Sequence, residues 1–434
     1  MKRSLDEWLD YQQRVHPRDI ELGLGRVSAV WQRMGAPAIA QSVITVGGTN
    51  GKGSTVAFLE AMLIAADHRV GAFLSPHLLR YNERVRVFGR DVDDDALIDA
   101  FERIEAARGD IALTYFEFGT LAALWIFAQS ELDVAVLEVG LGGRLDAVNI
   151  VDADVAIVTT VDLDHQDWLG NDVDSIGREK AGIFRANRPA IVGSLEPPRG
   201  LLDEAQRIGA NVVRAGIDFE ALVSNRRWIW TSGETTLELP LPTLAAPAQI
   251  NNASSAIAAL HALSPRIAWN PDAIAAGVER AQLAARLQRF SKAGAPDLIV
   301  DVGHNPQAAR VLAHWLRANP APRTIAVFGA LSDKDVAGIV APLAGSIDRW
   351  MIGGLDEETP RGLSANALVA RVGDAFEPSS VERHRSIVQA LAAAAETARE
   401  DETILAFGSF FVAAAAVTWA RSNGYGAASA SGQV

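Results

Sequence analysis

Residues 42–66 open with the apolar run Ser42-Val43-Ile44-Thr45-Val46. They pass through Gly47-Gly48-Thr49-Asn50-Gly51-Lys52-Gly53-Ser54-Thr55 and continue as VAFLEAMLIAA to Ala66. The β-branched run predicts a strand over 42–46, and the Ala/Leu-rich segment predicts a helix over 54–66. Glycines between a strand and a helix let backbone N–H groups approach a phosphate, and the helix N-terminus adds partial positive charge. Lys52 would reach the terminal phosphates of a nucleotide, and the Ser54 or Thr55 hydroxyl would approach Mg²⁺. The match to G-x-x-x-x-G-K-[ST] is incomplete: Val46 holds the position of the first glycine, and Gly53 separates Lys52 from Ser54. A ligand-free Gly-rich turn is the alternative, and four glycines with a lysine between strand and helix argue against it.

Outward from this loop the alternation repeats. Val70–Leu74, Asp133–Val139 and Asp154–Val161 predict strands of a first series. Leu298–Asp301, Thr324–Gly329, Arg349–Gly353 and Thr403–Gly408 predict a second. Near-continuous apolar strands alternating with helices belong to parallel sheets covered on both faces. Helical patterns over Asn252–Leu263 and Pro271–Ala285 precede the second series, so the seam is expected between Ala281 and Pro296. The expected fold is α/β: a P-loop-containing N-terminal domain with a mainly parallel sheet (residues 1–285) and a smaller Rossmann-like α/β C-terminal domain (297–423). A hinge over 286–296 and a flexible Gly/Ala/Ser-rich tail over 424–434 complete the expected organisation. Trp228–Trp230 and Thr235–Leu239 suggest a small β excursion late in the first domain.

The 434 residues carry 53 acidic and 40 basic side chains, a formal net charge of −13, and 49% are hydrophobic. So apolar a chain can build a core. So acidic a chain, without a basic run, offers no electrostatic face to nucleic acid or to an anionic membrane. Cysteine is absent, which excludes disulfides, thiolate zinc sites, iron–sulfur ligation and cysteine nucleophiles, and suits a reducing cytoplasm. The start at Met1–Asp6 lacks the apolar core of a signal peptide. Ile404–Ala420 is uncharged but shorter than the about 20 apolar residues of a membrane span, and reads as a strand, a Gly turn and a helix.

Gly48–Thr55 (GTNGKGST) resembles the nucleotide loop of the folylpolyglutamate synthase and dihydrofolate synthase family. These are ATP-dependent amide ligases related to the UDP-N-acetylmuramoyl peptide ligases of cell-wall synthesis. The GTNGK core is shared with those relatives and does not choose between them. The resemblance covers most of residues 20–310 and returns at Gly408-Ser409-Phe410. It implies that Thr49, Asn50, Gly51, Lys52, Gly53 and Ser54 surround ATP, with Ser54 beside the metal.

Glu138 closes the strand DVAVLEV, His165 follows DVAIVTTV, and Ser75 stands in Leu74-Ser75-Pro76-His77. Polar groups at strand C-terminal ends beside a phosphate loop sit where open α/β sheets bind ligands. A hard cation takes oxygen ligands and keeps waters and substrate phosphates, which suits Glu138 and Ser75 and makes His165 a less usual third ligand. Taken singly, Glu138 also reads as a cap or surface carboxylate, His165 as a structural histidine and Ser75 as a turn residue. SPHL, LEVGLGGRLDA and LDHQDWLG resemble successive family motifs whose Ser, Glu and His bind magnesium, which implies that role for Ser75, Glu138 and His165. GREKAGIF (177–184) resembles a block whose lysine is carbamylated, implying a carbamate on Lys180; from its neighbours alone Lys180 reads as a solvated helix lysine.

Asp301-Val302-Gly303-His304-Asn305-Pro306 resembles the family's D-x-x-H-N-P block, in which the Asp contacts the nucleotide. Asp301 as a turn residue and Asn305 as a helix cap is the alternative. Arg286 aligns with the arginine of the family's L-P-G-R-F-Q, but Ala284, Ala285 and Leu287 replace Pro, Gly and Phe. An Ala-Ala pair is expected to extend the preceding helix. Asn252 matches an adenine-contacting Asn, and Ser409 lies in a G-S-F motif on the substrate side. The resemblance gives Lys52, Lys180, His304 and Arg286 the catalytic roles.

Thr114-Tyr115-Phe116-Glu117 offers an aromatic shelf for a pterin and a carboxylate for its amino-pyrimidine edge. Alternatively it is a loop entering a helix at Thr120, with Phe116 as core. The segment resembles the family's dihydropteroate-binding block, and Leu145-Asp146-Ala147, with Ile20–Leu22, are implied to flank the same pocket. The implied activity joins L-glutamate to dihydropteroate, and to the tail of reduced folates, through an acyl phosphate. The implied cofactors are ATP and Mg²⁺, with K⁺ a further candidate, in a monomer whose partners are small molecules. Two other readings stand beside it. A cell-wall peptide ligase would share GTNGK but lack TYFEFGT and REKAGIF at these positions. A P-loop NTPase would hydrolyse ATP without forming an amide.

Overall fold

The structure is a computed structural model that describes residues 3–18, 20–224, 227–373, 376 and 380–428. It divides into two compact units, Met1–Thr243 with Ile250–Gln282, and Leu244–Gln249 with Leu283–Val434.

The first unit holds β1 (Ser42–Gly47), β2 (Val70–Phe73), β3 (Val85–Val87), β4 (Arg90–Asp91), β5 (Val134–Glu138), β6 (Val155–Val158), β7 (Pro189–Val192) and β8 (Asn211–Arg214). They form one eight-stranded sheet in the order β4-β3-β2-β5-β1-β6-β7-β8. The strands from β2 to β8 in that order run parallel, and β3 and β4 turn back antiparallel at one edge. Parallel strands covered on both faces must be apolar throughout, and β1, β2, β5 and β6 are wholly buried. From β1 the chain moves to β2 on one side, and from β5 it crosses β1 to reach β6. The loops after β1, β5 and β6 therefore meet at a topological switch point, where such sheets bind ligands. The helices Lys52–Ala65 and Tyr115–Ala128 are apolar nearly all round and bury most of their residues.

The β excursion is an antiparallel sheet of β9 (Glu220–Ser224), β10 (Arg227–Ser232) and β11 (Thr235–Pro240), with Trp228 and Trp230 buried. Strand β9 carries no alternating pattern because it is an edge strand exposed along most of its length.

The second unit holds β12 (Gln288–Ser291), β13 (Asp297–Val300), β14 (Thr324–Phe328), β15 (Arg349–Gly353), β16 (Val381–His384), β17 (Thr403–Phe407) and β18 (Gly426–Ala427). Their order is β16-β15-β14-β17-β13-β12-β18, parallel as far as β13 and antiparallel through β12 and β18. The uncharged stretch 404–420 resolves into β17, a turn at Gly408 and the helix Phe410–Ser422. No described helix is long and apolar enough to cross a membrane.

One expectation needs correction. The helix from Pro271 stops at Arg280 instead of running to Ala285. Ala285 and Leu287 adopt left-handed φ values of 54° and 48°, a conformation costing non-glycine residues about 1–2 kcal/mol. Three hydrogen bonds hold them there: Ala285 N–H donates to Gln288 Oε1 (3.0 Å), Val302 N–H to the Ala285 carbonyl (3.1 Å) and Leu287 N–H to Asp301 Oδ2 (2.9 Å). These fixed partners override the helix preference of alanine. Residues 286–296, read as a hinge, contain β12 of the second sheet. Within the tail, β18 pairs with β12, and Tyr425 packs on Trp419 at 5.6 Å between ring centroids. Residues 429–434 of that tail lie outside the described residues.

Candidate active site

The phosphate loop is braced from β6. Thr49 N–H donates to the Thr160 carbonyl (2.7 Å) and Asn50 N–H to Thr160 Oγ1 (3.1 Å). Thr159 Oγ1 donates to the Asn50 carbonyl (2.6 Å), and Thr49 Oγ1 to that of Asp162 (3.2 Å). Gly48 and Gly51 have φ values of 142° and 87°. A Cβ at Gly48 would collide with Thr159 Oγ1, and one at Gly51 with Asn252 Oδ1, so both positions require glycine. The second contact seats Asn252, on the helix Ala248–Leu263, directly against the loop. Gly51 caps the helix Lys52–Ala65, which includes Gly53 and the buried Ser54. The Lys52 ammonium donates to the Gly48 and Thr49 carbonyls at 3.1 and 3.2 Å, so it is folded over the loop it would serve.

Register brings the next group alongside. Val46 pairs with Glu138 across β1 and β5, one residue before Gly47. Glu138 is 4% exposed, and its Oε2 accepts the Ser75 N–H at 2.9 Å, which ties the end of β5 to the loop after β2. Glu138 is thus neither a helix cap nor a surface carboxylate. His165 precedes the four-residue helix Gln166–Leu169 in a left-handed conformation (φ 50°), and Asp164 Oδ1 accepts its N–H at 2.9 Å. Lys180, expected from its neighbours to be solvated, is 4% exposed. Burial, reinforced by the Lys52 charge, pushes its amine down to about 7, with Asp164 and Asp146 opposing. Asp146 is also buried, and burial pushes its carboxyl up to about 6. It accepts N–H groups of Leu141 (2.8 Å) and Val148 (3.1 Å), which hold Leu145 and Ala147 in a fixed turn. Lys52, Asp146, Asp164 and Lys180 therefore share one electrostatic neighbourhood. Among the described residues no cluster of three or more His, Cys, Asp or Glu side chains forms a metal site. Glu138 supplies a carboxylate beside the loop, with Asp146 and Asp164 in the neighbourhood of Lys52 and Lys180, and oxygen donors of this kind suit a hydrated, phosphate-bound Mg²⁺.

The segment at 114–117 is a helix start. Thr114 caps the helix Tyr115–Ala128: its Oγ1 accepts the Glu117 N–H (3.2 Å), and Glu117 Oε2 accepts the Thr114 N–H (2.8 Å). Arg26 Nε donates to Glu117 Oε2 (3.4 Å) with its Nη2 3.1 Å from Glu117 Oε1, and Arg26 Nη1 donates to Glu21 (2.6 Å). Phe116 packs on Phe73 (6.0 Å between centroids) and lies against Gly140, so its ring closes the gap between β2 and the loop after β5. Tyr115 meets Tyr81 edge-on at 5.7 Å, with Arg84 beside both rings. The neighbouring His77 has its imidazole pushed down to about 4, by burial and then by the Arg84 charge.

The second unit gathers its own residues. Asp301 Oδ1 and Oδ2 accept the N–H groups of Gly303 (2.7 Å) and Leu287 (2.9 Å). Burial raises its carboxyl above the usual carboxylate value while the Arg286 charge lowers it. The Arg286 guanidinium lies 5.6 Å from the Phe410 ring centroid, and the His304 ring 6.3 Å from it. His304 Nδ1 lies 2.9 Å from the Val302 carbonyl, so Nδ1 carries the proton. Asn305 and Ser409 cap the helices Pro306–Ala318 and Phe410–Ser422. The sequence reading missed Arg26, Thr159, Thr160 and Arg84. Only the T-x-x-E spacing of Thr114 and Glu117, a capping box, was available to place the start of the helix that Arg26 contacts.

Comparison with known proteins assigns both halves. The Mur ligase middle domain matches residues 46–260, and the Mur ligase, glutamate ligase domain matches residues 285–410. The dihydrofolate synthase/folylpolyglutamate synthase of Escherichia coli (strain K12) is 48% identical over 412 residues, 94% of each chain. The structure of E. coli FolC in complex with DHPP and ADP is similar with a TM-score of 0.91 at 46% identity, covering 97% of this chain and 98% of that one. The crystal structure of a bifunctional folylpolyglutamate synthase/dihydrofolate synthase with Mn, AMPPNP and L-glutamate bound gives 0.88 at 44% identity, covering 96% and 98%. With such likeness along nearly its whole length, the chain belongs to the dihydrofolate synthase/folylpolyglutamate synthase family, on the Mur ligase fold.

Proposed function

We propose that the protein uses ATP and Mg²⁺ to ligate L-glutamate to dihydropteroate and to the glutamate tail of reduced folates. The observation that carries this reading is the braced phosphate loop, one register position from Glu138, in a chain 48% identical to a dihydrofolate synthase/folylpolyglutamate synthase.

A carboxylate does not react with an amine at neutral pH. The γ-phosphoryl group of ATP passes to the substrate carboxylate, giving an acyl phosphate and ADP. The glutamate amine then attacks the acyl carbon, the amide C–N bond forms, and phosphate leaves with the acyl C–O bond pair. Thr49 and Asn50, whose N–H groups are held by Thr160, fix the shape of the loop around the nucleotide, while Gly51 and Gly53 would present backbone N–H groups and the helix N-terminus to the phosphates, and Lys52 would unfold from its loop carbonyls to neutralise them. Glu138, Ser75, His165 and Ser54 would hold Mg²⁺, which when bound offsets the charge of the transferring phosphoryl group. With its amine near 7, Lys180 is substantially neutral at physiological pH, which supports carbamate formation there. Thr114–Glu117 and Leu145–Ala147 would hold the pterin end. Asn252, Asp301, Arg286 and His304 would serve the nucleotide, and Ser409 the incoming glutamate. The cysteine-free sequence suits a reducing cytoplasm, and we take the enzyme to act as a monomer, which sedimentation would measure.

The deciding assay supplies ATP, Mg²⁺ and glutamate with dihydropteroate, tetrahydrofolate or a muramoyl nucleotide in turn. ADP and amide product are expected with the first two alone. ADP release without either pterin amide would sink the reading, and a muramoyl amide would move it to cell-wall synthesis.

A further inference from the structure

Arg84 is a nearly buried cation that meets no carboxylate among the described residues. It ends the short turn Tyr81–Arg84 ahead of β3 and is 8% exposed. Its Nε donates to His77 Nδ1 at 2.8 Å, and its guanidinium carbon lies 5.2 Å and 5.4 Å from the Tyr81 and Tyr115 ring centroids. Among the described residues no carboxylate comes within ion-pair distance of Arg84, and its two terminal amino groups donate to none of them. Other sheltered arginines of this unit are paired: Arg26 with Glu21 and Glu117, Arg86 with Glu60, Arg108 with Glu105. The adjacent Glu83 is engaged, accepting the N–H groups of Leu78, Leu79 and Arg80. Burying an unpaired charge is costly, and two aromatic faces offset only part of that cost.

Its position suggests the missing partner. The Arg84 carbonyl accepts the N–H of Leu74, the residue before Ser75, at 2.9 Å. Tyr115, on its other side, is flanked by Thr114 and Phe116. Arg84 thus lies between the strand end assigned to phosphoryl transfer and the segment assigned to the pterin. A guanidinium fork takes both oxygens of a carboxylate at once. A carboxylate about to attack phosphorus must keep an oxygen free, so the reacting carboxylate is the poorer occupant. Dihydropteroate has only that one. A folate ends in glutamate, whose α-carboxylate is spare while the γ-carboxylate reacts.

We propose that Arg84 holds the α-carboxylate of the terminal glutamate of a folate, and so serves tail extension and not the first glutamylation. This rests on the folate-ligase reading above. The test measures KM and kcat of Arg84→Met and Arg84→Lys with tetrahydrofolate and with dihydropteroate. Loss of a charge-assisted pair in Arg84→Met should raise KM for tetrahydrofolate about ten- to a hundredfold, with partial recovery in Arg84→Lys. KM for dihydropteroate should change less than about threefold, since no pair is lost there. Equal rises with both substrates would place Arg84 on the reacting carboxylate and overturn the proposal; no rise with either would leave it a packing residue and overturn it too. A ligand-side test does not depend on the variants folding: tetrahydrofolate amidated at its α-carboxylate should bind wild type as weakly as tetrahydrofolate binds Arg84→Met. Equal wild-type affinity for acid and amide would overturn this assignment alone. Wild-type protein that ligates glutamate to neither pterin would overturn the functional reading along with it.

Discussion

Lys180 shows what a side chain's sequence neighbours conceal. Beside Arg178 and Glu179 it looks solvated, yet the helix Val173–Ala181 turns it inward. Its folded value of about 7 lies below the ordinary 10.5, so between these two pH values the unfolded chain binds the proton and the folded chain does not. Stability therefore rises with pH across that window, and the cost of burying the charge is largest below it. In carbonate-free buffer, Lys180→Met should melt higher than wild type at pH 6, with the gap narrowing as pH rises from 7 toward 10; a widening gap in thermal scans would contradict this. Glu138→Ala should lower kcat about 10²–10³-fold, the scale for losing a charge-stabilising group, with the fold retained by circular dichroism although the Ser75 amide loses its acceptor. Near-normal turnover would remove Glu138 from the metal set. Lys52, Ser75 and Glu138 were legible because short motifs carry them. Arg26 was not, since Glu117 is 91 residues away, nor was Thr160, 110 residues from Asn50. Such pairs exist only once the sheet has brought them together.

Elements were legible where burial writes a pattern. The parallel strands named from the sequence were placed to within a residue or so at most ends, whereas β7, β8 and β16, which are also parallel, were not named. The end of the helix at Arg280 was not legible: Ala281 leaves helical conformation at ψ 125°, and its carbonyl accepts the hydroxyl of Thr243, 38 residues away. Strand β9 was missed because an exposed edge imposes no alternation. The turn between β1 and the helix Lys52–Ala65 gives the sharpest test at this scale. Gly51→Ala places a methyl group at φ 87° against Asn252, which should cost about 1–3 kcal/mol and weaken ATP binding. Urea denaturation and nucleotide titration would read both, and an unperturbed variant would mean that the turn has a second conformation.

At the scale of the molecule the charge of −13 takes on a narrower meaning. ATP, glutamate and folate tails are all anions, so they must be met by local devices: loop amides, Mg²⁺, Lys52, Arg84 and Arg286. The surrounding acidity opposes their approach. Raising the salt from about 50 to 300 mM should therefore leave kcat/KM for ATP unchanged or higher, because screening relieves repulsion. A steep fall would reveal a concentrated basic funnel that the sequence does not show. The strand pairing at the end of the second sheet has a different consequence. Gly426 and Ala427 cover the outer ladder of β12, and Ala428 N–H donates to the Arg289 carbonyl at 2.9 Å. A chain shortened at Asn423 would keep the motifs discussed above but bare a strand edge on which another copy can grow, so sedimentation should show it forming concentration-dependent oligomers.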